Sequence, residues 1–263
     1  MMQCGISTSC LYPMETKDSL DTLASTGFQV FEVFFNTFRE FQFPYLAEIK
    51  KCVDAHGAVI KSVHPFTSAF ESALIFTNYY TRFLDGLEFY KQYFDAANVL
   101  GANIMVLHGQ NYRGIDENEY MEKYLTLYQL GKQYGITVAQ ENVNGFRSAD
   151  PAFIRRMREC LQDECAFVFD IKQAVRAGKD PYNMCDAMGE KIVHVHMNDN
   201  SVSEDCLLPG YGTMDYPRLL GQLKQNGYSG AFIIEVYRKN FVELRELNKS
   251  ALYFNEILSK YFA

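Results

Sequence analysis

The chain predicts an α/β protein, one closed barrel of eight parallel strands alternating with helices, spanning 1–263 as a single domain. Two observations carry that expectation. Eight short runs rich in Val, Ile and Phe recur along the chain, and amphipathic helical stretches separate most of them. Strands alternating with helices imply a parallel sheet, and eight such units is the count that closes a (β/α)8 TIM barrel. A third observation concerns chemistry. Four of the runs stop on a side chain able to bind a metal ion: Ile136-Thr137-Val138-Ala139-Gln140 on Glu141, Ala166-Phe167-Val168-Phe169 on Asp170, Ile192-Val193-His194-Val195 on His196, and Ala231-Phe232-Ile233-Ile234 on Glu235.

In order, strands are expected near 3–8, 29–34, 58–64, 103–108, 136–141, 166–170, 192–196 and 231–236. Helical periodicity covers 16–26, 44–56, 78–100, 117–134, 150–162, 214–227 and 239–261. Gly27, Gly57, Gly101, Gly135 and Gly227 each follow a helical stretch and precede a strand, as helix stop signals do. After Asp170 the helix reads as short, interrupted by Gly178 and Pro181. No low-complexity tract or Ser/Pro linker marks a second domain.

Composition narrows the class. The 263 residues are 48% hydrophobic, enough for one large core of barrel size. A net charge of −7 disfavours affinity built on neutralising nucleic-acid phosphates. The basic stretch Arg155-Arg156-Met157-Arg158, beside Glu159, has helical spacing and reads as a solvated helix face. No apolar run approaches the roughly 18 residues that span a bilayer. Met1-Met2-Gln3-Cys4 lacks a signal-peptide pattern, so a cytoplasmic location is expected. The seven cysteines contain no C-x-x-C pair and read as reduced packing residues, Cys4 in a strand and Cys52, Cys160 and Cys185 in helices. No Gly-rich P-loop occurs.

In a parallel barrel every strand's C-terminal end opens on one face, where active sites sit. Glu141, Asp170, His196 and Glu235 close strands five to eight. His64 follows Ile60-Lys61-Ser62-Val63, His108 follows Ile104-Met105-Val106-Leu107, and Glu32 lies near the end of strand two. Carboxylates gathered there would repel one another, and each would lose hydration, unless a cation sat among them. Oxygen and imidazole donors suit Mn, Mg, Co or Zn.

These residues resemble the xylose-isomerase-like TIM barrels, in particular the sugar phosphate isomerase/epimerase group. The resemblance runs through Val63-His64-Pro65-Phe66, Leu107-His108-Gly109, Gln140-Glu141-Asn142, Phe169-Asp170-Ile171-Lys172-Gln173-Ala174, His194-Val195-His196-Met197-Asn198-Asp199, Leu208-Pro209-Gly210-Tyr211-Gly212 and Ile234-Glu235-Val236-Tyr237. It covers essentially the whole chain. It implies one divalent ion held by Glu141, Asp170, His196 and Glu235, with Glu141 and Glu235 doubling as the proton-transfer pair of an enediolate mechanism. His64 and His108, with a bridging Glu141, could hold a second ion or contact substrate. Gln173, Lys172 and Asp199 are further candidates for substrate contact. The implied partner is a small carbohydrate or polyol, and a homo-oligomer is expected by the same analogy.

Departures from the family pattern also matter. Gln173 stands where a histidine is common, Asp205-Cys206 where Asp-His is common, and Gly210-Tyr211-Gly212 where Gly-Glu-Gly is common. The related endonuclease IV branch uses the first two histidines for a third zinc, so phosphodiester cleavage in damaged DNA is the disfavoured alternative. A dehydratase or lyase acting on an inosose-type keto-polyol shares the first proton abstraction and stays open. Around the mouth, Tyr12, Phe35, Phe38, Phe66, Phe70, Tyr112, Phe146, Tyr211 and Tyr237 either pack the rim or a subunit interface, or wall off a sugar site. Arg147 and Arg238, close after strands five and eight, are candidate clamps for a substrate carboxylate or phosphate.

Overall fold

Eight parallel strands close on themselves in chain order. They are β1 (Cys4–Ser7), β2 (Val30–Phe34), β3 (Val59–His64), β4 (Ile104–Leu107), β5 (Thr137–Glu141), β6 (Phe167–Asp170), β7 (Ile192–Met197) and β8 (Ala231–Ile234). Around them lie α1 (Thr16–Ser25), α2 (Tyr45–His56), α3 (Ser68–Leu74), α4 (Tyr80–Leu100), α5 (Glu117–Gln133), α6 (Pro151–Leu161), α7 (Ile171–Arg176), α8 (Pro181–Met188), α9 (Tyr216–Gln225) and α10 (Leu244–Leu258). The molecule is thus a single (β/α)8 TIM barrel. The computed structural model describes residues 4–111 and 114–262. Gln3 of the expected first strand and the rim residue Tyr112 lie outside them.

Local chemistry sets the element ends. Gly57 and Gly101 take left-handed φ values of 61° and 78° just past α2 and α4, a conformation open to glycine at little strain. Asp116, Asp150 and Asp215 accept backbone N–H bonds at the starts of α5, α6 and α9, and Pro151 and Pro217 stand in the first turns of the last two.

Two helical regions depart from the periodicity. The β3–β4 connection holds the short α3 before α4, and the first turn of α3 buries Glu71. After Asp170 the chain makes two short helices. Gly178 (φ 66°) ends the first, and Asp180 caps the second at Pro181. The last helix begins later than expected, at Leu244, after a 3-10 turn at Arg238–Asn240.

The strands carry two faces. Phe167, Phe169 and Val195 are fully buried at positions alternating with Asp170, His194 and His196. Register places Asp170 beside His196, and Glu32 beside both Ser7 and Ser62. The result is a polar axis inside an apolar sleeve. All seven cysteines are free, and Cys4, Cys52, Cys160 and Cys185 lie in the elements expected of them. The Arg155–Arg158 stretch lies on α6, where Met157 is buried and Arg156 is exposed and paired with Glu117 at 2.7 Å. Among the described residues no helix is long and apolar enough to cross a membrane.

Candidate active site

Period-two alternation in β7 turns both His194 and His196 to the barrel axis, one below the other. The lower layer is a buried cluster around one oxygen. Ser62 Oγ donates to Glu32 Oε2 at 2.8 Å, and the Nε2 atoms of His194 and His196 each lie 3.1 Å from that oxygen. All four residues are fully buried. Burial opposes the Glu32 charge, but the two imidazoles outweigh it and hold the carboxyl well below its ordinary value. Burial pushes His194 down, whereas for His196 the carboxylates overcome burial and raise it well above the usual imidazole range. With its Nε2–H given to Glu32, His196 presents Nδ1 upward.

The upper layer faces that nitrogen. His196 Nδ1 lies 3.2 Å from Glu141 Oε1, 3.4 Å from Glu235 Oε2 and 3.6 Å from Asp170 Oδ2. One donor atom from each of the four residues lies within 4.8 Å of the others. Asp170 is also the cap of α7, accepting from Gln173 N at 3.2 Å and from Asn198 Nδ2 at 3.1 Å, both on Oδ1. Its Oδ2 is buried with Lys172 Nζ 3.0 Å away but no aligned hydrogen bond. Glu141 Oε2 is in the same condition, with His108 Nε2 at 2.9 Å. Burial opposes both charges. His108 and the other imidazoles outweigh it at Glu141, and Lys172 outweighs it at Asp170, so both carboxyls stay ionised. Ionised, buried oxygens with lone pairs to spare, set against one imidazole nitrogen, fit a small divalent cation.

A second group adjoins the first. His64 and His108 meet Nε2 to Nε2 at 3.0 Å, and with Glu141 they form another set whose donor atoms lie within 4.8 Å of one another. Behind His108, Glu71 of α3 is buried and accepts the Gly109 N–H. Burial pushes its carboxyl up to about 7 from the ordinary 4.5. Because the folded value exceeds the unfolded one, the contribution of Glu71 to stability is greatest below pH 4.5 and falls as pH rises toward 7. Glu71→Gln is therefore expected to stabilise the protein by about 3 kcal/mol at pH 8 and by little near pH 4.5. Urea unfolding at the two pH values checks this, and equal effects at both would contradict it.

These side chains floor an open cavity of about 430 Å³, lined by His64, His108, Glu141, Lys172, Gln173 and Glu235 and walled by Tyr12, Phe34, Phe66 and Tyr237. A larger recess, about 620 Å³, opens at the opposite end of the barrel. Among the described residues its ionisable lining groups are Lys61 and Glu190, too few for a reaction centre.

Several sequence candidates do not reach the cavity. The Arg147 guanidinium donates to Ile115 O and packs over the Tyr120 and Phe153 rings. Arg238 donates to Phe241 O and Val242 O, closing its own turn. Asp199 accepts from the backbone N–H groups of Asn200, Gly210 and Met214 and organises the loop after β7. Gly212 passes so close to Asn200 O and to the Asp199 carboxylate that a Cβ would collide with both. Of the rim aromatics, Phe35 is wholly buried in the core, Phe38 packs edge-on against Phe41, Phe66 and Phe89, and Phe70 and Tyr211 are exposed. Lys172 is no ordinary surface lysine, since its side chain is 3% exposed. Gln173 lines the cavity while its Oε1 accepts from Asn144 N. Sequence reasoning passed over Ser62 and His194. Stepping back two residues from His64 and from His196 would have found both.

The geometry has sequence counterparts. The family model for the xylose isomerase-like TIM barrel matches residues 20–257. The chain belongs to that family. Inosose isomerase of Halalkalibacterium halodurans is 29% identical over 153 residues, so the match spans about half of each protein (52% of this chain, 53% of the relative). A D-tagatose 3-epimerase-like protein has the same fold, with a TM-score of 0.78, 21% identity, and coverage of 99% of this chain and 98% of that one. The IolI protein, solved with a binding zinc atom, superposes over 100% of both chains with a TM-score of 0.78 at 18% identity.

Proposed function

We propose that this protein is a divalent-metal-dependent isomerase or epimerase of a small sugar or keto-polyol. The observation that carries the reading is the convergence of Glu141, from β5, and Glu235, just after β8, which line the cavity, with the buried Asp170 and His196. Similarity to an inosose isomerase and to an epimerase-like structure supports the substrate class. A zinc atom in the IolI protein supports a metal in this family of barrels.

Glu141, Asp170, Glu235 and His196 would hold the ion. When bound, it polarises a substrate carbonyl and tempers the negative charge that grows on the oxygen as the neighbouring carbon loses its proton. One glutamate carboxylate accepts that proton, and a carboxyl group returns one to the same or the adjacent carbon. Entry of the two glutamates from strands separated by β6 and β7 lets them work on different faces of the substrate. Tyr12, Phe66 and Tyr237 offer flat apolar surface to the sugar's C–H faces. Among the described lining residues the sole Lys or Arg is Lys172, which is paired with Asp170 and Glu235.

The test is incubation of Mn-loaded protein with ketohexoses and inososes in D2O, followed by NMR. Solvent deuterium at the carbon beside the carbonyl, together with an isomeric product, is expected. A product that has lost water would make the enzyme a lyase on the same site. No exchange with any of these substrates would sink the reading.

A further inference from the structure

We propose that Lys172 is a resident counter-cation of the metal centre, which balances the third ligand carboxylate and keeps the affinity for a divalent ion below what the ligands alone would give. The inference rests on the metal-binding reading above.

Its placement follows from the local chain. Asp170 ends β6 and caps α7, so Lys172 falls in the first turn of that helix, close to its own cap. Its Nζ reaches 3.0 Å from Asp170 Oδ2 and 2.5 Å from Glu235 Oε2. The Tyr237 ring covers the ammonium with its centroid 5.4 Å away. A buried ammonium is strongly disfavoured unless it is paired, and this one is paired with two ligands of the same centre.

Charge makes the case. Glu141, Asp170 and Glu235 bring three negative charges, and His196 ligates as a neutral base. A divalent ion supplies two positive charges, and Lys172 supplies the third. Any cation held by Asp170 and Glu235 must share their oxygens' field with an ammonium a few ångströms off, which weakens its binding. Without that ammonium the ligand set carries one uncompensated charge, which favours tighter divalent binding and admits trivalent ions.

Lys172→Met keeps length and apolar bulk while removing the charge. On chelator-treated protein, calorimetric titration with Mn2+ is expected to show binding tighter by roughly tenfold or more than wild type. Tb3+ luminescence is expected at lower ion concentration in the variant. The metal-free variant is expected to melt below wild type, since two carboxylates lose their partner, and to recover when Mn2+ is added. Lys172→Arg, which retains the charge, is expected to bind Mn2+ about as wild type does. If Lys172→Met folds only with Mn2+ present, that also supports the proposal. Equal or weaker Mn2+ binding in Lys172→Met, with wild type binding normally, would overturn the counter-cation role and leave the metal centre standing. Absence of Mn2+ binding in wild type and variant alike would instead remove the metal centre itself.

Discussion

Glu235→Gln is expected to lower turnover by roughly a thousandfold while leaving the fold intact. The amide has nearly the same shape as the carboxyl, but it can neither accept nor return a proton at working pH. Glu235 sits just past β8, at the cavity wall, and its side chain is 11% exposed, so the fold depends on it less than on the fully buried Asp170 and His196. The measurement is solvent-deuterium exchange into substrate, with bound metal quantified in the same samples. Metal retained with exchange lost assigns the defect to proton transfer. Undiminished exchange would remove Glu235 from the chemistry. Glu141→Gln is expected to lose as much activity and some stability too, since Glu141 is also the shared partner of His108, His64 and His196.

Glu32→Leu is expected to destabilise the protein by about 3–5 kcal/mol at pH 7, the usual effect of breaking a buried ion pair from one side. Glu32 Oε2 is the common acceptor for Ser62, His194 and His196, all of them fully buried. The same variant is expected to weaken metal binding, because His196 loses the acceptor that holds its Nδ1 toward the ligand carboxylates. Glu32→Gln keeps an acceptor oxygen, so its loss is expected to be smaller. The pH dependence follows from the depressed carboxyl. Its folded value lies below the ordinary 4.5, so its contribution is complete above pH 4.5 and fades as pH falls toward the folded value. Denaturant unfolding from pH 7 to pH 3.5 should therefore show the wild-type advantage shrinking on the acid side. A constant difference would mean that Glu32 acts through packing alone.

Much of this site was legible because strand ends are legible. An apolar run that stops at Glu141 or Asp170 announces both the strand and the group at its mouth. His196 sits one residue inside β7 and Glu235 one residue past β8, well within the error of any end placed from pattern. The unit after Asp170 was readable as irregular, and Gly178 and Pro181 did divide it. The rest depended on contacts distant in sequence. Arg147 looked like a substrate clamp until its guanidinium met Ile115 O, 32 residues earlier. Asp199 looked like a substrate contact until the loop that returns at Gly210 and Met214 wrapped round its carboxylate.

The amino-acid sequence by itself determined the eight-unit alternation, the face on which Glu141, Asp170, His196 and Glu235 would meet, and the kind of ion their donor atoms suit. Periodicity and chain order suffice for these, because parallel strands must all open the same way. The tertiary structure alone decided that Ser62, Glu32 and His194 form a buried layer beneath the proposed ligands, and that Lys172 turns inward to join Asp170 and Glu235. Those pairings come from strands β2, β3 and β7 and from the start of α7, elements brought together only when the barrel closes. A side chain's partner across the axis is set by register and tilt, which local sequence does not encode.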